Sequence, residues 1–254
     1  MKIQRNTSVF WDESVKNNTF DDHKHHIETI KKSLFWKRIN KAILDRFGSY
    51  NHLKIIELGS GQGLFSMLMA KQGGEVTLLD FSETSLNNAK LFFQKEKVEA
   101  KFIKADILNF KDNKKYDVVM SFGVAEHFQD KERFDVQKTH FDLCKPCGMS
   151  VIAVPNKSCL FYRVWLFIAR ITGFFMVEEY AFTMKEFILD YGFDYELVDF
   201  VYGSFIASFP RLLSPYRFLN SIVLKRKLKV KEEKSSDFDR FAFEMAFIGY
   251  KALK

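Results

Sequence analysis

The residues with the clearest chemical potential form a glycine-rich turn after a short apolar run. The segment Ile55-Ile56-Glu57-Leu58-Gly59-Ser60-Gly61-Gln62-Gly63 has glycine at alternate positions, where the missing side chains let the backbone approach a bound ligand. A helix is predicted to begin directly after the turn, so its N-terminal N–H groups face the same place. The pattern indicates a turn that holds a ligand against its backbone.

Two aspartates follow the turn, each at the end of a predicted strand. Asp80 lies 21 residues after Gly59, where a carboxylate can accept both hydroxyl groups of an adenosine ribose. Asp106 ends the third predicted strand and is well placed for an adenine amino group. Any one of these acids could instead be a helix cap or a surface carboxylate. Their order on successive strand ends favours one shared nucleoside site.

The glycine spacing separates two nucleoside cofactors. A nicotinamide dinucleotide turn has the pattern G-x-G-x-x-G, and Leu64 stands where its third glycine would fall, whereas this chain has G-x-G-x-G. From this turn through Asp80 and Asp106 to Tyr116-Asp117-Val118-Val119-Met120-Ser121, the sequence resembles the class I S-adenosylmethionine (SAM) methyltransferases of the broad small-molecule, type 11-like group. The resemblance covers about residues 53–200.

This resemblance implies a Rossmann-like, doubly wound α/β sheet of seven strands whose last strand is antiparallel. It also implies that SAM lies across the carboxyl edge of the sheet and that S-adenosylhomocysteine is the product. The cofactor-binding residues carried over from the family are Glu57, Gly59, Ser60, Gly61, Gly63, Asp80, Phe81, Asp106, Ile107 and Ser121.

Glu126 and His127 follow the fourth predicted strand and are the candidate catalytic residues. That strand end borders the crevice beside the nucleoside, so both side chains are expected to face the acceptor pocket. A histidine titrates near neutral pH and can take the proton that an oxygen or nitrogen acceptor loses on methylation. Glu-His-Phe is also similar to cyclopropane fatty acid synthases, which keeps carbon open as an acceptor atom. The Asn/Asp-Pro-Pro-aromatic motif of DNA and RNA amino-methyltransferases is absent at this strand end.

Two groups of residues have metal-ligand chemistry, and no metal is predicted at either. Cys144 and Cys147 have C-x-x-C spacing, which elsewhere signals zinc or redox chemistry, but no second pair follows and the pair falls at the turn before the fifth predicted strand. His23 and His26 would share a helix face beside Asp22, where a solvated or substrate-facing polar patch is the preferred interpretation.

The elements that must position these residues fall into two parts. Residues 53–254 alternate between strands and helices, as in a parallel sheet covered by helices on both faces, with insertions at about 156–182 and 203–236. Residues 1–52 have apolar side chains at helical spacing and are predicted to form an N-terminal helical arm. In the methyltransferases that this sequence resembles, N-terminal helices cover the cofactor and acceptor, which implies that this arm, with Phe10 and Trp11, is a candidate lid.

The insertions contain two segments that suggest a partner surface. Residues 160–177 are predicted to form an aromatic-rich amphipathic helix, with Arg163 and Arg170 opposite the apolar face, too short and too charged to cross a membrane. This helix could pack on the core, cap an apolar acceptor pocket, touch a membrane surface or form a dimer contact. Between Arg211 and Lys231 there are seven basic residues and no acid, which equals the net charge of +7 of the whole chain.

Composition limits the class of protein. The 254 residues are 47% hydrophobic and 28% charged, with 12 glycines and 4 prolines, which excludes collagen-like, low-complexity and wholly disordered chains. Met1 to Asn18 lacks the apolar stretch of a secretory signal, so we expect a cytoplasmic chain with reduced thiols, and peripheral membrane association stays open.

We therefore expect a SAM-dependent methyltransferase that acts on an oxygen or nitrogen atom, with carbon open, of a small or lipid-like molecule. Two alternatives stay open: a macromolecular acceptor such as RNA, reached through the basic segment, and a non-catalytic SAM-binding scaffold. Nucleic acid is the less favoured partner. The sequence indicates no oligomeric state, and a dimer stays open.

Overall fold

The computed structural model describes residues 7–15, 20–113, 115–173, 177–189, 193, 195–212 and 233–253. From position 213 onward, the predicted basic segment lies outside the described residues. The strands are β1 (Lys54–Leu58), β2 (Glu75–Asp80), β3 (Lys101–Lys104), β4 (Tyr116–Phe122), β5 (Cys144–Pro155), β6 (Tyr195–Tyr202) and β7 (Glu244–Lys251). The helices are α1 (Ser8–Val15), α2 (Phe20–Lys32), α3 (Leu34–Phe47), α4 (Leu64–Ala70), α5 (Glu83–Lys95), α6 (Asp130–Leu143), α7 (Leu160–Ile171), α8 (Met184–Leu189) and α9 (Phe205–Leu212).

The strands form one seven-stranded sheet in the order β3-β2-β1-β4-β5-β7-β6. The neighbouring pairs from β3 to β5 are parallel, and β7 is antiparallel to both β5 and β6. This confirms the predicted doubly wound sheet with an antiparallel last strand. The strand order reverses between β1 and β4, and in open α/β sheets ligands bind at the carboxyl edge of such a point.

The core lies on both faces of the sheet. Neighbouring residues of β1 point to opposite faces, so Ile55 packs in one hydrophobic cluster with Ile39 and Phe92, while Ile56 packs in the other with Val136. A strand buried on both sides needs apolar residues on both faces, which explains Ile55, Ile56 and Leu58 of β1.

The N-terminal arm is divided into three helices, whereas the apolar spacing predicted one. Ser33 separates α2 from α3 because its hydroxyl accepts a hydrogen bond from the Trp36 N–H at 3.1 Å and caps the new helix. Gly48 ends α3 with a positive φ of 76°, as predicted.

Two predictions about metal-ligating residues are corrected by the backbone. His23 is buried with its ring 4.8 Å from the Phe92 ring, while His26 is exposed, so the two histidines do not present one shared surface. Cys144 and Cys147 belong to β5, because this strand already pairs with β4 at Cys144 and Tyr116. No disulfide joins the three cysteines, and the described residues contain no group of three or more His, Cys, Asp or Glu side chains suited to a metal ion.

Candidate functional site

A cavity of about 730 Å³ lies at the carboxyl ends of β1, β2 and β4 and beside the loop after β3. Ten of the predicted site residues line it: Glu57, Gly59, Ser60, Gly61, Gly63, Asp80, Phe81, Asp106, Ile107 and His127. Ser121 and Glu126 do not line this cavity. The remaining lining residues include Trp11 and Val15 from α1, a set of phenylalanines, and the two acids Glu132 and Glu178.

The glycine turn is held in a left-handed backbone conformation by the end of β2. Gly59, Gly61 and Gly63 have φ values of 62°, 52° and 65°, which favour glycine because a side chain would crowd the backbone. The Ser60 N–H donates to the Leu79 carbonyl at 2.9 Å. The turn is therefore fixed to the neighbouring strand.

Gly63 tests whether the turn tolerates a side chain. A Cβ at this position would lie 2.1 Å from Leu78 Cδ2, whereas a Cβ at Gly48 would meet nothing within 4 Å. We expect Gly63→Ala to lower the free energy of unfolding by roughly 2–5 kcal/mol, the sum of a left-handed backbone penalty and overpacking. Gly48→Ala carries only the backbone penalty, about 1–2 kcal/mol. Urea unfolding of both variants measures the difference, and equal losses would contradict the packing argument.

Asp80 joins the turn to the end of β2. Its Oδ2 accepts a hydrogen bond from the Gly61 N–H at 2.7 Å, and its Oδ1 accepts one from the Ser82 N–H at 2.8 Å. Burial raises the pKa of this carboxyl, while the two N–H donors oppose that shift. Each carboxylate oxygen has a second lone pair, so Asp80 can also accept the two ribose hydroxyl groups for which the sequence predicts it.

The residues of the cavity fit an adenosyl group with a positively charged sulfur. Within the described part of the chain, the buried Ser60 hydroxyl has no hydrogen-bond partner, and it lines the cavity where a ligand could satisfy it. Space for a Cβ is open at Gly61, so the backbone there is accessible to a ligand. Glu57 and Asp80 supply carboxylates of opposite charge to the sulfonium.

Glu57 is the residue from which we expect a pH dependence of SAM affinity. Its Oε2 accepts hydrogen bonds from the Ser66 N–H and hydroxyl at 3.2 and 2.5 Å, and burial raises its pKa to about 7. A cationic ligand favours the ionised carboxylate, so protonation of Glu57 opposes binding.

We expect the Kd of SAM to be constant above about pH 7 and to rise by up to about tenfold per pH unit below it. Calorimetric titrations across this range measure the dependence, and Glu57→Gln should remove it. Adenosine, which carries no positive charge, is the matched ligand control. The same slope for adenosine would show that another group titrates.

His127 has a defined tautomer at the cavity wall. Its Nδ1 lies 2.8 Å from the backbone carbonyl oxygen of Glu178. A carbonyl only accepts, so Nδ1 carries the proton and Nε2 of the neutral ring holds the free lone pair. Burial lowers the pKa of His127, which keeps the ring neutral at pH 7. The ring is therefore prepared to act as a base.

Glu126 points away from the site, contrary to the expectation that it faces the acceptor pocket. It belongs to the 3₁₀ turn Ala125–His127, in which successive side chains diverge by about 120°. Its carboxyl is buried, and burial together with the nearby Glu179 carboxyl raises its pKa well above the usual range. Glu179 in turn accepts a hydrogen bond from the Tyr162 hydroxyl at 2.8 Å. The geometry assigns Glu126 to this buried cluster behind the wall of the cavity.

Ser121 also differs from its predicted place as a cofactor contact. Side chains alternate along β4, so Phe122 lines the cavity while the Ser121 hydroxyl lies on the other face, 2.9 Å from Nε2 of His140. The His140 Nδ1 lies 2.8 Å from the Val136 carbonyl, and burial lowers the pKa of this ring to about 4. Ser121 therefore joins β4 to α6.

Helix α1 covers the cavity and is attached to α5. The Asp12 Oδ1 accepts hydrogen bonds from the Ser82 hydroxyl at 2.6 Å and the Thr84 N–H at 3.1 Å. The Asn88 side-chain amide donates to the Val15 carbonyl at 3.0 Å, and the Trp11 ring lies 5.4 Å from the His127 ring, edge to face. These contacts hold Trp11 against the candidate base.

Glu132 and Glu178 are site residues that the sequence analysis missed. Glu132 lies in the first turn of α6, shortly after Glu126 and His127 at the end of β4. Its position in the sequence could have marked it as a candidate for the same site. Glu178 had no such signal, because it reaches the cavity only where the chain returns after α7.

Comparisons with known proteins agree with this geometry. A sequence profile described as a methyltransferase domain matches residues 55–148. The ubiquinone biosynthesis O-methyltransferase of Rickettsia canadensis is 27% identical over 132 residues, which are 52% of this chain and 55% of that protein. The chain thus matches about half the length of these curated relatives.

Two solved structures have a similar fold. Magnesium protoporphyrin IX methyltransferase from Synechocystis PCC 6803, crystallised with SAH, has a TM-score of 0.59 at 15% identity, covering 96% of this chain and 95% of that one. A SAM-dependent methyltransferase from Clostridium acetobutylicum has a TM-score of 0.57 at 12% identity, covering 96% and 97%. Residues 55–148 therefore match a methyltransferase domain, and the glycine turn, the acidic strand ends and the sheet order of the chain fit a SAM-dependent methyltransferase of class I.

Proposed function

We propose that this protein transfers the methyl group of SAM to a hydroxyl oxygen of a small, ring-containing, lipid-like molecule. The observation that carries the proposal is the position of His127, whose Nε2 lone pair is available at a cavity also lined by the glycine turn and Asp80. The O-methyltransferase relatives support oxygen as the acceptor atom.

The chemistry divides between cofactor and chain. SAM supplies a methyl group that is already activated by its positively charged sulfur. The glycine turn, Asp80 and Asp106 hold and orient the nucleoside, and Trp11 with α1 excludes water from the reacting end. Holding the reacting groups in line is worth roughly 7–11 kcal/mol, against about 3–5 kcal/mol from a general base. Positioning of the reacting groups is therefore expected to lower the activation barrier more than the general base does.

As the acceptor oxygen bonds to the methyl carbon, the bond between that carbon and the sulfur of SAM breaks and S-adenosylhomocysteine is released, while the acceptor proton moves to Nε2 of His127. A phenolic hydroxyl has a pKa of about 10, low enough for a neutral imidazole to assist, which favours a phenol over an aliphatic alcohol. Trp11 and Phe128 give the cavity aromatic walls, and Glu178 and Glu132 can accept hydrogen bonds from further hydroxyl groups of the acceptor. A hydroxylated aromatic ring fits this arrangement best.

The test uses the purified chain with methyl-labelled SAM. Catechols and phenols with and without an alkyl chain are compared with anilines of the same shape, and total RNA is included as a macromolecular acceptor. We expect label in the methyl ethers of the hydroxylated rings. Label in the anilines or in RNA alone would overturn the proposal, as would SAM binding without label in any of these acceptors.

A further inference from the structure

The helix α7 is apolar on two faces, and one of them points outward. Its inner face buries Tyr162 and Ala169, and the Tyr162 ring lies 5.2 Å from the Phe243 ring. Its outer face exposes Leu160 (64%), Phe167 (65%) and Ile171 (70%), with Val164 and Ile168 at 37% each. The spacing predicts one apolar face, whereas Val164, Ile168 and Ile171 belong to an exposed stripe separate from the buried inner face.

Neighbouring elements extend this exposed apolar surface. Helix α9 packs against α7, and the Phe161 and Phe205 rings lie 5.4 Å apart. Ile206 of α9 is 54% exposed, and Phe238, whose ring is 5.9 Å from that of Phe205, is 60% exposed. A patch of this kind marks an interaction site rather than ordinary surface.

The sequence segments that contain α7 and α9 are basic, while the exposed acid Asp237 lies next to Phe238. Residues 157–177 and 203–231, which include α7 and α9, contain ten lysines and arginines and no acid. Arg163 of α7 is exposed, and the exposed Lys157 before the helix pairs with Glu186 at 3.4 Å. In a symmetric dimer built on this patch, the same cations would oppose one another, whereas an anionic lipid surface would neutralise them.

We propose that α7 attaches the protein to an anionic lipid bilayer. Its 12 residues make a helix about 18 Å long, shorter than the roughly 30 Å hydrocarbon layer, so it lies in the interface plane with Leu160, Phe167 and Ile171 inserted. None of the helices in the described part of the chain is long and apolar enough to cross a membrane. The Tyr162 hydroxyl of α7 donates to the Glu179 carboxylate at 2.8 Å, next to Glu178 in the wall of the reaction cavity, so the attached helix is joined to one wall of the site.

Sedimentation with vesicles tests this surface without SAM or an acceptor, so its outcome is independent of the proposed function. Phosphatidylcholine vesicles are compared with phosphatidylcholine vesicles containing phosphatidylglycerol. The full chain should bind the anionic vesicles, and added salt should weaken the binding. The double variant Phe167→Ser/Ile171→Ser should bind at least about tenfold more weakly, because it removes two inserted side chains.

Leu91→Ser is the matched control, since Leu91 is 58% exposed on α5, which lies outside the patch. It should bind the anionic vesicles like the unaltered chain, and both variants should keep its melting temperature and SAM affinity. Equal binding of all three chains to vesicles, or no binding by any of them, would overturn the proposal. A concentration-dependent dimer that only the double variant loses would also overturn it and would assign the patch to a second copy of this chain. If the unaltered chain and both variants failed to bind SAM, that result would contradict the proposed function and not the lipid contact.

Discussion

Asp80→Ala is expected to abolish measurable SAM binding, the largest effect of any single substitution in the site. The change removes the acceptor of the Gly61 and Ser82 N–H groups and the carboxylate predicted to accept the two ribose hydroxyls. Two hydrogen bonds to a charged group are worth about 3–6 kcal/mol together, or roughly 10²–10⁴-fold in Kd. Calorimetric titration with SAM and with S-adenosylhomocysteine measures the loss.

The matched control for this substitution is Asp142→Ala. Asp142 is an exposed acid on α6 that pairs with Lys138 and does not line the cavity. It should bind SAM like the unaltered chain. If Asp80→Ala kept its affinity, or if the unaltered chain bound a nicotinamide cofactor and ignored SAM, the assignment of the nucleoside site would be wrong.

His127→Ala is expected to slow methyl transfer by about 10²–10⁴-fold while leaving the Kd of SAM close to that of the unaltered chain. Positioning by the turn and by Asp80 remains intact, so slow activity should stay measurable. His127→Gln keeps a hydrogen-bond donor for the Glu178 carbonyl but has no basic lone pair, so it should be as slow as the alanine variant.

The pH profile separates a base from a structural histidine. The base must be neutral, and burial lowers the pKa of His127 below its usual 6.5, so kcat should rise with pH through that lowered pKa and be level above it. Both variants should lack this limb of the profile. Full activity in His127→Gln, or equal and total loss in Asp80→Ala and His127→Ala, would contradict the division between binding and proton transfer.

Much of the cofactor half of the site could be predicted from local sequence. The turn from Gly59 to Gly63 requires positive φ values, and glycine is the residue that adopts them readily. The positions of the glycines in the sequence therefore predict the backbone conformation of the turn. Asp80 and Asp106 end or follow strands recognisable from their apolar runs. The carboxyl ends of parallel strands meet at one edge, so the convergence of these residues follows from the fold class.

The residues around the acceptor could be identified only from the tertiary structure. Glu126 and His127 are adjacent in sequence, yet they belong to a 3₁₀ turn that separates their side chains. The Glu126 carboxyl lies in a buried cluster, whereas the His127 ring lines the cavity. Trp11 and Glu178 come from distant parts of the chain and reach His127 only through packing. By itself, the sequence determined the sheet and the glycine turn, because these rest on backbone preferences and periodicity. Only the tertiary structure decided which side chains surround the acceptor, because side-chain direction at a turn and contacts between distant segments are set by the assembled core.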